Sequence, residues 1–189
     1  ENLTIDHQKK TKQAFRLRDA KNCALRNLTI CNGTDNGIDF AGADNLLIEK
    51  CLIYNFLAKS FIEQEDAHGI TGGRTVGITI RNTEIHHVSG DSFQVDPERN
   101  AKVTTNILME GCHFWTGPLD ADFNDGWRKG QSPGENAIDT KINDVAPIMP
   151  NHRMQLTARN MVAHGWDKNG YISNRAAFNM KEAVTVIFE

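Results

Sequence analysis

Apolar residues alternate with polar ones in short runs that recur along the chain. Ala-Leu-Arg-Asn-Leu-Thr-Ile-Cys from Ala24, Asn-Leu-Leu-Ile-Glu-Lys-Cys-Leu-Ile from Asn45, Gly-Ile-Thr-Ile-Arg-Asn-Thr-Glu-Ile from Gly77 and Asn-Ile-Leu-Met-Glu-Gly-Cys-His-Phe from Asn106 are variants of one pattern. A second short run precedes the later copies: Asp-Asn-Gly-Ile-Asp-Phe at 35–40, Ala-His-Gly-Ile-Thr at 67–71 and Asp-Ser-Phe-Gln-Val at 91–95. Alternation predicts strands with one face buried, and recurrence predicts a solenoid of coiled strand pairs in which each repeat covers the next. No stretch keeps the three-and-four apolar spacing of a helix for a helix's length. Leu57 to Asp66 allow a short helical turn at most.

Aligning the copies turns the pattern into columns. Residues two apart on a strand share a face, so apolar columns point inward. One column is Leu28, Cys51, Thr83, Cys112 and Met161, another Ile30, Ile53, Ile85, Phe114 and Ala163, and a third Cys23, Leu46, Ile78, Ile107 and Leu156. The preceding strand aligns as Phe15, Ile38, Ile70, Phe93, Ile138 and Phe178, then Leu17, Phe40, Gly72, Val95, Thr140 and Met180. Leu28, Cys51, Thr83, Cys112 and Met161 stand 23, 32, 29 and 49 positions apart, so loops of unequal length must leave the coil. The longest is predicted near 116–134, where Gly117, Pro118, Gly126, Gly130, Pro133 and Gly134 break the period.

These strand pairs and columns resemble the right-handed parallel β-helix of pectate lyases, chondroitinase B, polygalacturonases and phage tailspikes. The resemblance covers nearly the whole chain and implies an all-β, right-handed parallel β-helix solenoid of roughly six coils, one domain over 1–189. Strand pattern continues to both ends, so the domain is expected to be a segment of a longer chain.

Charge and cysteine content narrow the partners. A formal charge of −3 and a pI near 6.2 give no basic footprint for nucleic acid, and no apolar run is long enough for a membrane span. Cys51 and Cys112 share a column but have Thr83 between them, about 9.6 Å apart by two strand spacings and beyond disulfide reach. Cys23 reads as a small core hydrophobe, and only Cys31, at a strand end, is expected to be partly exposed.

Inward positions are used for packing, so chemistry is expected on outward positions and loops. Arg16, Asp39, Thr71, Gln94, Asp139 and Asn179 form one outward column, and Arg18, Ala41, Gly73, Asp96, Lys141 and Lys181 the next. Asp96, Asp139 and Lys141 therefore share a face, with Lys181 stacked beside Lys141. The segment Gly-Glu-Asn-Ala-Ile-Asp-Thr-Lys at 134–141 resembles, loosely, the stretch ending in the catalytic lysine of β-helical polysaccharide lyases. That resemblance implies Lys141 as the base of a β-elimination, with Glu135 and Asp139 as carboxylates beside a bound Ca²⁺; such a lysine needs neighbours that lower its pKa. The chain departs from those families: three residues separate Glu135 from Asp139, and Ile138-Asp139 follows Asn136-Ala137. The bland reading of the same face is a solvated charge ladder.

Two further features suit an acidic sugar. Asp120-Ala-Asp-Phe-Asn-Asp-Gly126 offers oxygen ligands at alternate positions, so Asp120 and Asp122 are candidate calcium ligands, although the glycine falls one place late for an EF-hand and Gln131 stands where its closing glutamate belongs. Trp115 and Trp127, with Arg128 and Lys181, are candidate sugar contacts. The histidines lack a zinc-like spacing and read as turn or ladder residues. The expectation is a carbohydrate-active protein, secreted or in the cell envelope, acting on a uronate polysaccharide by lyase chemistry. The alternatives are a non-catalytic binding or structural segment of a surface protein, and a glycoside hydrolase. For the last, Gly33 to Asp39 and Ala67 to Gly72 look like polygalacturonase segments, but that family's intervening Asp-Asp strand is missing.

Overall fold

The alternating runs form strands that hydrogen-bond to their counterparts one repeat away and run parallel to them. The structure, a computed structural model, describes residues 2–10, 12–99, 102–141, 153–166, 170–172, 175–181 and 183–189, and the side chains of all of these except Glu98, Arg99 and Lys102. Three six-stranded parallel sheets wind together. The first holds Phe15–Arg18, Ile38–Ala41, Ile70–Gly73, Phe93–Asp96, Asn136–Thr140 and Ala176–Asn179. The second holds Ala24–Arg26, Leu46–Glu49, Val76–Arg81, Thr105–Glu110, Met154–Arg159 and Val184–Phe188. The third holds Leu3–Lys10, Leu28–Gly33, Leu52–Phe56, Glu84–Val88, His113–Trp115 and Val162–His164. Following the chain visits first, second and third sheet in turn, which makes a parallel β-helix of about six coils. No helix occurs among the described residues.

Register agrees with the columns read from sequence. Phe15, Ile38, Ile70, Phe93, Ile138 and Phe178 are successive partners in the first sheet, and Ile30, Ile53, Ile85, Phe114 and Ala163 in the third. Ile38, Ile70, Phe93, Ile138, Ile30, Ile53, Ile85 and Phe114 are fully buried. Each such side chain contributes roughly 1.5–3 kcal/mol by leaving water. Gly72 has to be glycine, because the place where its Cβ would stand is taken by the Phe40 carbonyl oxygen and by the Phe40 ring, with Cγ 2.7 Å away.

Each repeat contains three strands where the sequence pattern suggested two. The run from Ala24 to Cys31, read as one strand, bends at Asn27 and continues in another sheet. The bend is a single residue in the left-handed region, and it recurs: Asn27, Lys50, Asn82, Gly111 and Asn160 have φ of 54°, 52°, 48°, 63° and 52°. The corner before it uses Asn22, Asn45, Gly77 and Asn106 at 55°, 53°, 77° and 51°. Asparagine tolerates this conformation better than other residues with a Cβ. Amides at left-handed positions also pair from coil to coil, Asn45 Nδ2 donating to Asn22 Oδ1 at 3.1 Å and, within the third sheet, where Asn32 and Asn55 have φ of 61° and 56°, Asn55 Nδ2 to Asn32 Oδ1 at 3.2 Å.

All four cysteines are free, as their columns predicted. Cys31, expected to be partly exposed, is instead buried on a strand that pairs with Tyr54. Loop 116–134 folds back on the coil, and Leu119, Phe123 and Trp127 close over Leu57 and Phe61 as a second, smaller core.

Asn82 is exposed, so its replacement tests the corner with little loss of packing. Asn82→Val is expected to lower unfolding free energy by about 1–2 kcal/mol, and Asn82→Gly to stay within about 1 kcal/mol of the parent, both read by chemical denaturation.

Candidate functional site

A solenoid of three sheets has three outward faces, and two of them are satisfied by their own side chains. On the second sheet, Arg26, Glu49, Arg81, Glu110 and Arg159 are successive partners of alternating sign. Arg26 Nε lies 3.2 Å from Glu49, Arg81 Nε 2.9 Å from Glu110 and an Arg159 terminal nitrogen 2.8 Å from Glu110. The arginines, Arg81 foremost, hold the Glu110 carboxyl below its usual range.

On the third sheet, Tyr54, His86, Trp115 and His164 stack in order, with ring centroids 5.0, 4.3 and 5.9 Å apart and planes within 17° of parallel. A sugar needs an aromatic face, and in this stack His86 and His164 lie over the two faces of Trp115. Trp115, expected to contact substrate, presents only its edge, and its Nε1 already donates to Glu84 Oε1 at 2.7 Å.

The first sheet differs. Arg16, Asp39, Thr71, Gln94, Asp139 and Asn179 occupy one outward column, as the sequence predicted. Arg18 forks onto both oxygens of Asp39 at 3.0 and 2.8 Å. Lys181 Nζ sits 2.9 and 3.0 Å from the two oxygens of Asp139. Lys141 is exposed and its Nζ donates to Gln94 Oε1 at 3.2 Å, while its backbone N–H donates to Val95 O at 2.8 Å. Asp96 is half-buried at the end of the neighbouring strand. The carboxylates lie beneath the cations: the Asp139 side chain is 3% exposed against 29% for Lys181, and Asp39 14% against 36% for Arg18. Lys181, expected to stack on Lys141, is drawn to Asp139 because a buried carboxylate needs a counter-charge.

At the start of the first-sheet strands runs a polar column that sequence reading did not single out. Asn36 Oδ1 accepts the His68 N–H at 2.8 Å, and His68 Nδ1 accepts the Asp91 N–H at 2.8 Å. Asp91 Oδ1 accepts from Asn136 Nδ2 at 2.7 Å, and Asn136 Oδ1 accepts the Ala176 N–H at 3.1 Å. Asn36, His68 and Asn136 thereby serve backbone donors of the next coil, as buried polar groups must be served, and Asp91 holds the Asn136 amide in place. Asp91 is fully buried, and its Oδ2, 3.6 Å from His68 Nδ1, has no hydrogen-bond partner among the described residues. Burial pushes its carboxyl up to about 8, with Asp139, Glu135 and Asp66 adding to the rise against the Asn136 bond. Burial, then Asp66, also raises Glu135, whereas Lys141 acts against that rise. The same burial lowers His68. The available signal was parity: Asp91 stands two residues before inward-facing Phe93.

Several expected contacts are not formed. Trp127 is fully buried in the small core, its Nε1 donating to Ala58 O at 3.0 Å, so it is closed to a substrate. Arg128 spends its guanidinium on the carbonyls of Asn124, Asp125 and Trp127. Asp120 is exposed, and Asp122 Oδ1 accepts the Lys129 N–H at 2.8 Å as a turn bond. Calcium does not fit the residues as arranged: the Lys181 ammonium holds both oxygens of Asp139, and no group of three His, Cys, Asp or Glu side chains suited to a metal occurs among the described residues.

Residues 2–121 match the family described as the right-handed β-helix region. The chain belongs to the right-handed β-helix family. No curated protein and no solved structure matches it. For a right-handed β-helix, membership fixes the coil and leaves the chemistry to the outward residues. Asp139, Lys141 and Lys181 lie beyond the matched stretch, on coils that continue it in register.

Two measurements follow from this geometry. Lys181→Met leaves Asp139 buried without its counter-charge and is expected to lose about 3 kcal/mol of stability, much of it regained in the Lys181→Met, Asp139→Asn double variant. Asp91 keeps a proton in the folded chain that an unfolded aspartate, titrating near about 3.9, has lost. Its contribution is therefore full at acid pH and is lost as pH rises through about 8. His68, lowered by burial, acts oppositely below about 6.5, so the clean window is pH ~6.5–8. There, unfolding free energy should fall by at most about 1.4 kcal/mol per pH unit, and Asp91→Asn should remove the slope.

Proposed function

We propose that this right-handed β-helix binds an acidic polysaccharide along the outward face of its first sheet and cleaves it by β-elimination. The observation that carries the reading is the layering on that face: Arg18, Lys141 and Lys181 stand toward solvent, and Asp39 and Asp139 lie beneath them. A face built this way presents ammonium and guanidinium donors to carboxylates of a polymer and keeps its own carboxylates from repelling them. Neighbouring coils are about 4.8 Å apart, so Lys141 and Lys181 are adjacent along the axis and Arg18 stands four coils from Lys141 on the same face, along the direction in which an extended chain would lie.

Lys141 has the position for the base. Its amine, in neutral form, takes the proton on the carbon bearing the uronate carboxylate. The electron pair of that C–H bond becomes a C=C bond to the adjacent ring carbon, and the glycosidic oxygen on that carbon leaves, collecting a proton to end as a hydroxyl. Lys181, held by Asp139, supplies fixed positive charge beside the reacting sugar as the carboxylate takes on electron density. Gln94 orients Lys141 through its hydrogen bond to Nζ, and Asp96 ends the neighbouring strand. No step passes through calcium. The non-catalytic reading uses the same face and differs only in leaving the polymer intact.

Incubation with pectate, alginate and glycosaminoglycan uronates, with calcium in one arm and a chelator in the other, should give an unsaturated product detected by ultraviolet absorbance. Lys141→Ala is expected to abolish the product while retaining polymer binding in affinity electrophoresis. Cleavage that survives Lys141→Ala would remove Lys141 from the base role, and retardation without cleavage by the parent protein would establish the binding reading.

A further inference from the structure

The third sheet's outward face carries a second arrangement, separate from the proposed polysaccharide face. His113, on the fourth coil, and His164, on the fifth, bring their Nε2 atoms to 3.0 Å from each other. The other ring nitrogen of His113 faces Glu84 Oε1 at 3.7 Å. A carboxylate on that side favours the proton on Nδ1 of His113, so its Nε2 accepts a hydrogen bond from His164 Nε2–H, and a metal would displace that shared proton. Glu84 is itself held by the Trp115 indole N–H at 2.7 Å. His164 is exposed and lines an open cleft of about 420 Å³ with Gly165, Trp166 and Arg175, so an ion can reach it from solvent. The Arg175 guanidinium donates to the Pro133 carbonyl at 2.7 Å.

We propose that His113 and His164 form a two-point chelating site for a divalent transition metal of the copper and nickel class. Imidazole nitrogens bind such ions at about 2.0–2.1 Å. Two nitrogens 3.0 Å apart then subtend about 91–97° at the ion. That is the angle between adjacent ligands of a square-planar or tetragonal ion, and it is narrower than the tetrahedral angle zinc adopts. Copper(II) also heads the affinity order for nitrogen sites. Water would complete the coordination. The ion would take the place of the proton shared by His113 and His164 and tie adjacent coils together through side chains.

Trp115 reports on the site, since its ring centroid is 6.2 Å from that of His113 and 5.9 Å from that of His164. Titration of the full chain with Cu²⁺ should quench its fluorescence, saturating at one ion per chain and raising the thermal midpoint. His113→Gln and His164→Gln should each weaken this binding about tenfold or more, and Glu84→Gln about tenfold by loss of the orienting carboxylate. Ca²⁺ and Mg²⁺ should have no effect, because they take oxygen ligands. All three substitutions are at surface positions, and circular dichroism checks that each variant folds. No saturating quench in the parent, or quenching of equal affinity in both histidine variants, would overturn the site.

Discussion

Backbone hydrogen bonding from each coil to the next fixes a single spacing for the whole molecule, and every other feature has to live with it. In a parallel sheet a residue meets its counterparts one strand above and below, at about 4.8 Å. Each sequence position therefore becomes a column, and each side chain must coexist with its own column. Inward, this produces ladders such as Ile30, Ile53, Ile85 and Phe114, which fill a narrow core. Outward, it would bring like charges into contact, and the chain avoids that by alternating arginine and glutamate from Arg26 to Arg159. Planar rings in one column have little choice but to stack, which is what Tyr54, His86, Trp115 and His164 do.

The same constraint explains why the proposed polysaccharide site falls on the first sheet's face. Columns that satisfy themselves offer little to a ligand: paired charges have used their attraction, and stacked rings have used their faces. The first sheet's outer column is not built on such a repeat. It passes from Arg16 through Asp39, Thr71 and Gln94 to Asp139, and its charges are balanced from the adjoining column by Arg18 and Lys181. Balance across columns puts long cationic side chains above short carboxylates, because the flexible stems of arginine and lysine reach over a neighbour. The layering that supports polysaccharide binding is thus a consequence of side-chain length as much as of charge.

What could be read from sequence followed the period-two rule, and what could not followed from exceptions to it. The columns were legible because alternation survives any change of residue type, so even the uneven spacing from Cys51 to Met161 left the register intact. The corners were hidden because a single left-handed residue adds no turn of its own: Asn27 and Asn82 sit inside runs that read as continuous strand. Trp127 was misplaced because loop 116–134 has no period, and whether an indole faces in or out of an irregular loop depends on Leu57 and Phe61, dozens of residues away. Asp91 was passed over because a carboxylate at inward parity looks like the end of a strand, whereas here the start of the strand continues inside the wall.

The buried polar column shows how far the helix can depart from an apolar interior without losing it. Asn36, His68, Asp91 and Asn136 stand where the chain turns into the first sheet, a place where backbone donors cannot all find strand partners. A purely apolar column there would leave those N–H groups buried and unpaired, at a cost of about 1–3 kcal/mol each. Three of the members serve without charge: the two asparagines, and the imidazole, which burial keeps neutral. Asp91 is the exception: burial raises its carboxyl, Asp139, Glu135 and Asp66 add to that rise, and Lys141 and Lys181 oppose the rise that burial gives Glu135. Structural column and candidate site are therefore one electrostatic unit: a change in charge on the outward lysines, such as a bound polyanion would bring, reaches a titratable group inside the wall.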